Sequence, residues 1–129
     1  MSNPPVISII DDDGSVRAAT HNLMRSLGYT VHTFASPAEF LRSSHLGDTS
    51  CVIADVRMPE MSGLELQAHL LARGQRLPFI FVTAFAAESD RARALKAGAI
   101  CFLTKPFDGE VLIGCLDAAL EGKGAATDK

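Results

Sequence analysis

Five short apolar runs, at residues 6–10, 30–34, 51–54, 79–82 and 100–103, alternate along this 129-residue chain with segments of helical character. The runs are brief and often continuous rather than alternating, as strands buried on both faces are. A repeated strand–helix order with connections of this length predicts right-handed crossovers. The expected fold is therefore α/β: a three-layer (βα)5 sandwich around a parallel sheet. A strand order of 2-1-3-4-5 sets the first and third strands side by side and reverses direction between them, and ligands of such sheets sit outside the carboxyl ends of the strands.

The helical segments carry their own punctuation. The first is predicted over 15–27, with Val16, Ala19, Leu23 and Leu27 in one apolar stripe and Gly28 as its stop. A shorter helix over 37–43 has Ser36 as its cap, Pro37 as its first residue and Glu39 at the third position. The third, over 62–72, starts on Ser62 with Glu65 three residues on, and would turn Leu64, Ala68 and Leu71 to the sheet. The fourth covers about 87–97 and ends at Gly98. The fifth covers about 108–120, with Val111, Leu112, Cys115, Leu116 and Ala119 on its inner face. Residues 1–121 read as one domain, and the small, polar stretch 122–129 as a flexible tail or the start of a linker.

Composition excludes several function classes. A formal charge of -3, from 12 basic and 15 acidic side chains, is too weak and too mixed to suggest direct nucleic-acid binding or a membrane partner. Arg91, Arg93 and Lys96 read as a solvated helix face. Cys51, Cys101 and Cys115 show no metal or redox spacing and read as buried free thiols. The opening MSNPPVISII lacks the pattern of a signal peptide, and no apolar stretch is long enough to span a bilayer. The expectation is a soluble, cytoplasmic protein.

The chemistry gathers at the strand ends. Asp11, Asp12 and Asp13 follow the first run, Asp55 the third, Thr83 the fourth, and Lys105-Pro106 the fifth. In the 2-1-3-4-5 order these groups meet at one edge of the sheet. Crowded carboxylates suit a hard divalent cation of magnesium's size, which takes a few carboxylates plus waters or a backbone carbonyl. Arg57 could offer only its carbonyl oxygen, because a guanidinium has no acceptor. Lys105 would neutralise a carboxylate or a bound phosphoryl oxygen, and the Thr83 hydroxyl could donate to the same oxygen. Together they suggest handling of a phosphoryl group. Pro106 is a candidate for a cis peptide bond.

The fragments IIDDDGSVR, VIADVRMPEMSGLEL, FIFVTAFA and LKAGAICFLTKPF occur in order, with 28 residues from Asp55 to Thr83 and 22 from Thr83 to Lys105. Over about residues 6–120 the chain resembles a bacterial response-regulator receiver domain, close to the nitrogen-fixation regulator (FixJ-like) branch, and so a flavodoxin-like, CheY-like fold. The resemblance implies that Asp55 is the phosphoacceptor. It implies that Asp11, Asp12, Asp55 and the Arg57 carbonyl hold Mg2+, with Mn2+ an alternative, and that Asp12 is the more direct ligand of the acidic pair. Thr83 and Lys105 would read the phosphoryl group, Pro106 would be cis, and Phe102 would be the switch aromatic coupled to Thr83, turning further inward on phosphorylation. Arg17, five residues after Asp12, leaves Asp13 as the extra acid, a loop or cap residue. Such a domain is no conventional enzyme, but it catalyses its own phosphoryl uptake and autodephosphorylation.

The implied partners are a sensor histidine kinase or phosphotransfer protein, docking near exposed Asn22 and Arg25 of the first helix. At the switched face they are a second copy of the chain, an output domain or a downstream protein. Two other readings stay open on sequence alone. One is a phosphorylation-independent interaction module with the same fold. The other is a phosphatase of haloacid-dehalogenase type, in which DDDGS would supply Asp11 as nucleophile and Asp13 as general acid.

Overall fold

A computed structural model describes residues 3–128 of the chain, with side chains on the last helix described through Glu121. The elements run β1 (Val6–Ile10), α1 (Gly14–Ser26), β2 (Thr30–Phe34), α2 (Pro37–Arg42), a 3-10 turn (Leu46–Asp48), β3 (Cys51–Asp55), α3 (Gly63–Ala72), β4 (Phe79–Thr83), α4 (Glu88–Lys96), β5 (Cys101–Thr104) and α5 (Gly109–Asp128). The five strands form one parallel sheet in the order β2-β1-β3-β4-β5. The expected doubly wound α/β sandwich is the observed one. The side chains of the stretch expected as a tail, 122–129, lie outside the described residues, although the backbone of α5 runs on to Asp128.

The central strands are buried on both faces, which explains their continuous apolar character. Alternate residues of β3 serve opposite layers. Val52 and Ala54 join Phe40, Leu66, Leu70, Phe81 and Phe102 on one side. Cys51 and Ile53 join Met24, Leu112, Cys115 and Leu116 on the other. The helix stops lie where glycine permits the left-handed backbone: Gly28 and Gly98 have φ of 92° and 103°. Ser36 caps α2 through the Glu39 amide, and Ser62 and Glu65 form the reciprocal capping box of α3.

Three expectations need correction. The buried face of α1 centres on Thr20 and Met24, while Ala19 and Leu27 are exposed. Thr20 can be buried because its hydroxyl donates to the Val16 carbonyl at 2.9 Å. On α3 the inward residues are Leu64, Leu66, Gln67 and Leu70, whereas Ala68 is exposed and Leu71 half-buried. Gln67 reaches the Ala94 carbonyl of α4, so its amide is satisfied in the layer between helices. On α5 Val111 is exposed, and Leu112, Cys115, Leu116 and Ala119 carry the packing.

The cysteines also depart from expectation. Cys51 is a buried free thiol, whereas Cys101 of β5 and Cys115 of α5 are joined in a disulfide, with Cα atoms 6.2 Å apart. With α5 packed over β3 and β4, Cys115 comes within a disulfide's span of Cys101 on the neighbouring edge strand.

Candidate functional site

The sheet order brings the ends of β1, β3, β4 and β5 to one rim. Asp11 follows β1 and is buried, Asp55 is the last residue of β3 and is buried, and Thr83 is the last residue of β4 and is fully buried. The strand assignments run to Asp55 and Thr83, one residue past the apolar runs, so both side chains are fixed by the sheet itself.

Lys105 crosses from the end of β5 to hold two acids. Its Nζ donates to Asp11 Oδ2 and to Asp55 Oδ2, each at 3.0 Å. The other Asp55 oxygen, Oδ1, accepts the Arg57 amide at 3.1 Å. Both oxygens of the Asp55 carboxylate are thus engaged. Asp11 Oδ1 accepts the Asp13 amide at 2.9 Å, and the Arg17 guanidinium donates to the Asp11 carbonyl at 2.6 Å. The Lys105-Pro106 peptide is cis.

The electrostatics follow from burial and pairing. Burial pushes the Asp11 carboxyl above its ordinary value, and the bonds from the Asp13 amide and Lys105 only partly oppose it. Burial also works against the Lys105 charge. Its hydrogen bonds and attraction to Asp55 and Asp11 together outweigh that cost and hold the ammonium above the usual lysine value. Asp11, Asp12 and Asp55 offer oxygens that all lie within 4.8 Å of one another. Hard oxygen donors at that spacing, two buried and one open to solvent, fit a divalent cation.

Asp13 does not join them. Its side chain caps α1, accepting from the Ser15 and Val16 amides at 3.0 and 3.3 Å and from the Ser15 hydroxyl at 2.8 Å. The hydroxyl bond, with the two amides, holds its carboxyl below the ordinary value. A carboxylate committed to capping α1 and held more weakly basic is poorly placed as a general acid, which counts against the phosphatase reading.

Thr83 sits further along the rim, while Phe102 lies two residues back from the end of β5, in register with Phe81. The Thr83 hydroxyl accepts the Phe85 amide at 3.4 Å. Phe102 is already buried in this structure, with its ring 6.3 Å from that of Phe81. Phe85, two residues past Thr83, is the most exposed large apolar side chain among the described residues.

Sequence reasoning missed two features. Arg57 was expected to act through its carbonyl alone, yet its guanidinium also pairs with Asp90 of α4 at 3.0 Å, tying the loop after β3 to that helix. Gly63 opens α3 directly against the Asp55 carbonyl. A Cβ there would fall well inside contact distance of that oxygen and 3.0 Å from the Phe81 ring. The MSGLEL fragment contains this glycine, but only the packing shows what it is for.

Residues 7–117 match the family described as response regulator receiver domain. The chain is 44% identical over 116 residues to response regulator protein TodT of Pseudomonas putida, covering 90% of this chain and 51% of TodT. Among solved structures it is similar to response regulator StyR, at 38% identity and a TM-score of 0.87, over 97% of this chain and 63% of StyR. It is also similar to FixJ-N, at 31% identity and a TM-score of 0.82, over 94% and 96% of the two chains. The chain spans about half the length of curated relatives such as TodT. No helix among the described residues is long and apolar enough to cross a membrane.

Proposed function

The chain belongs to the response regulator receiver domain family of two-component systems, and on that premise we propose that it accepts a phosphoryl group on Asp55 from a phosphohistidine donor. The observation that carries this reading is the single lysine bridging the two buried carboxylates of the rim, with a third acid beside them. An Asp55 carboxylate oxygen attacks phosphorus, the phosphorus–nitrogen bond breaks, and the imidazole leaves. Holding Asp55 through the Arg57 amide and Lys105 limits its rotation and keeps it oriented for in-line approach. As negative charge gathers on the transferred oxygens, Lys105 can move from the carboxylates to meet it, and the Thr83 hydroxyl supplies a further donor.

Asp11, Asp12, Asp55 and the Arg57 carbonyl are the groups that would hold Mg2+. When bound, that ion supplies charge neutralisation for the phosphoryl oxygens. Water attack on the acyl phosphate restores Asp55, so the domain resets itself. The donor is a sensor histidine kinase or phosphotransfer protein in the cytoplasm. The face formed by α4, β5 and α5 reports the state to a second copy or to an output segment, through Thr83 and Phe102. We read residues 1–121 as the receiver and 122–129 as a C-terminal tail or the start of a linker.

The test is intact mass after incubation with Mg2+ and a small acyl-phosphate donor, for the wild type beside Asp55→Asn. A labile single adduct on the wild type alone is the expected result. An adduct on both proteins moves the acceptor elsewhere and sinks the assignment.

A further inference from the structure

We propose that Cys101 and Cys115 form a reversible thiol–disulfide couple whose oxidised form fastens α5 to β5 and restrains the face through which the domain responds. The bridge joins two consecutive elements that belong to different layers of the fold, one in the sheet and one covering it, across a separation of 14 residues. Its Cα–Cα distance of 6.2 Å lies within the range that a disulfide spans. Cys101 is the residue immediately before Phe102, and Cys115 sits between Leu112 and Leu116 on the packed face of α5. Oxidation therefore pins the middle of α5 to the start of the strand that carries Phe102 and leads into Lys105.

The fold does not need the bridge. Both faces of the sheet are already covered by extensive apolar clusters, and a domain of this size closes its core without a disulfide. Cys101 is only half-buried, which leaves the couple nearer to solvent at that residue than at the buried Cys115. Cys51 provides an internal contrast: it is buried and its thiol is pushed up to about 12 by that burial, which leaves it inert.

The oxidant is a small-molecule disulfide. The Cys101 thiolate attacks one of its sulfurs, releasing one small thiol and leaving a mixed disulfide. The Cys115 thiolate then attacks the Cys101 sulfur, releasing the second small thiol and closing the bridge. The protein loses two electrons and two protons, and one small disulfide becomes two thiols. A small dithiol reverses the exchange.

The effect on signalling rests on the receiver reading; the couple itself does not. The test equilibrates the full chain in buffers of reduced and oxidised glutathione and then alkylates it after denaturation. Oxidised protein is expected to take up one alkyl group, on Cys51, and reduced protein three. Hydrogen exchange is then followed in both forms without any phosphoryl donor, and α5 amides are expected to exchange at least about fivefold more slowly in the oxidised form. Three alkyl groups in every buffer, or equal α5 exchange in the two forms, overturns the proposal. Acyl-phosphate donor is added last, and an exchange response at α5 that is smaller in the oxidised form is expected. An equal response in both forms overturns the restraint. Failure of Asp55 to take up phosphate in either form overturns the phosphoacceptor reading alone, since the couple and the fastening are read before donor is added. A Cys101→Ser/Cys115→Ser variant should match the reduced wild type in every buffer.

Discussion

The Lys105 ammonium lies 3.0 Å from Oδ2 of Asp55, and the same nitrogen holds Asp11 at the same distance. One cation thus serves two acids that the sheet forces together. Replacing Lys105 with Met leaves both carboxylates without it. The head group keeps some contact with water, so the cost stays below that of a fully enclosed pair, about 2 kcal/mol in metal-free buffer. Phosphoryl uptake from a small donor should fall by about a hundredfold. Urea denaturation and single-turnover labelling check the two figures, and wild-type uptake in Lys105→Met would remove the lysine from the chemistry.

Asp11 makes a prediction about acid and metal. Its folded pKa is raised above 3.8, chiefly by burial. Its contribution to stability is therefore complete below 3.8 and is lost as pH rises through the folded value. At neutral pH the metal-free fold carries that penalty, and a cation bound by the native state offsets it. At ten times its dissociation constant Mg2+ should add about 1.4 kcal/mol and raise Tm by about 5 °C. The shift should shrink in acid as the carboxylates protonate, and in Asp12→Ala. Calorimetry showing no Mg2+-dependent shift at pH 7 would count against the cation site.

Gly63 and Gly114 should respond to alanine with opposite signs. At Gly63 a methyl group meets the Asp55 carbonyl and the Phe81 ring, so Gly63→Ala should destabilise by about 2–3 kcal/mol. At Gly114, within α5, nothing lies within 4 Å of the new carbon, so Gly114→Ala should stabilise by about 0.5–1 kcal/mol. Chemical denaturation of the two variants decides it.

His32 of β2 and His45 ahead of the 3-10 turn stack with ring centroids 3.6 Å apart and planes 11° apart. Burial lowers the His32 pKa and the His45 charge lowers it further, while Asp48 opposes both. A depressed histidine contributes stability that is full above the unfolded value, about 6.5, and is lost as pH falls through the folded value. Denaturation midpoints should drop as pH falls below 6.5, and His32→Asn should flatten that limb of the profile. An unchanged slope in the variant would show that the stack is electrostatically silent.

Much of this was legible in the sequence because strands buried on both faces announce themselves. The bounds of β1 and β2 follow directly from their apolar runs. Asp55 and Thr83 were invisible as strand residues because they are polar, yet the register carries both into the sheet. The helix faces were harder. Thr20 and Gln67 are polar by composition, and only their hydrogen bonds to Val16 and Ala94 let them replace the apolar residues expected inside. Pairings across the fold, such as Cys101 with Cys115 and His32 with His45, carry no local signal, since they depend on which elements the topology makes neighbours. The acidic rim was readable because its members fall at strand ends, where order in sequence becomes proximity in space.

The cap on α1 has a consequence for how this rim handles charge. Sheets of this kind often cradle anions on the positive pole of a helix, where free amides wait for them. Here Asp13 already occupies the Ser15 and Val16 amides, so that pole is spent. In the proposed mechanism an incoming phosphoryl group finds those two amides of α1 already taken. What it meets is a lysine side chain that can swing away and, in the proposed mechanism, an ion that can dissociate. The anion's tenure would then be decided by parts that come and go, as the proposed brief holding of a phosphoryl group on Asp55 requires.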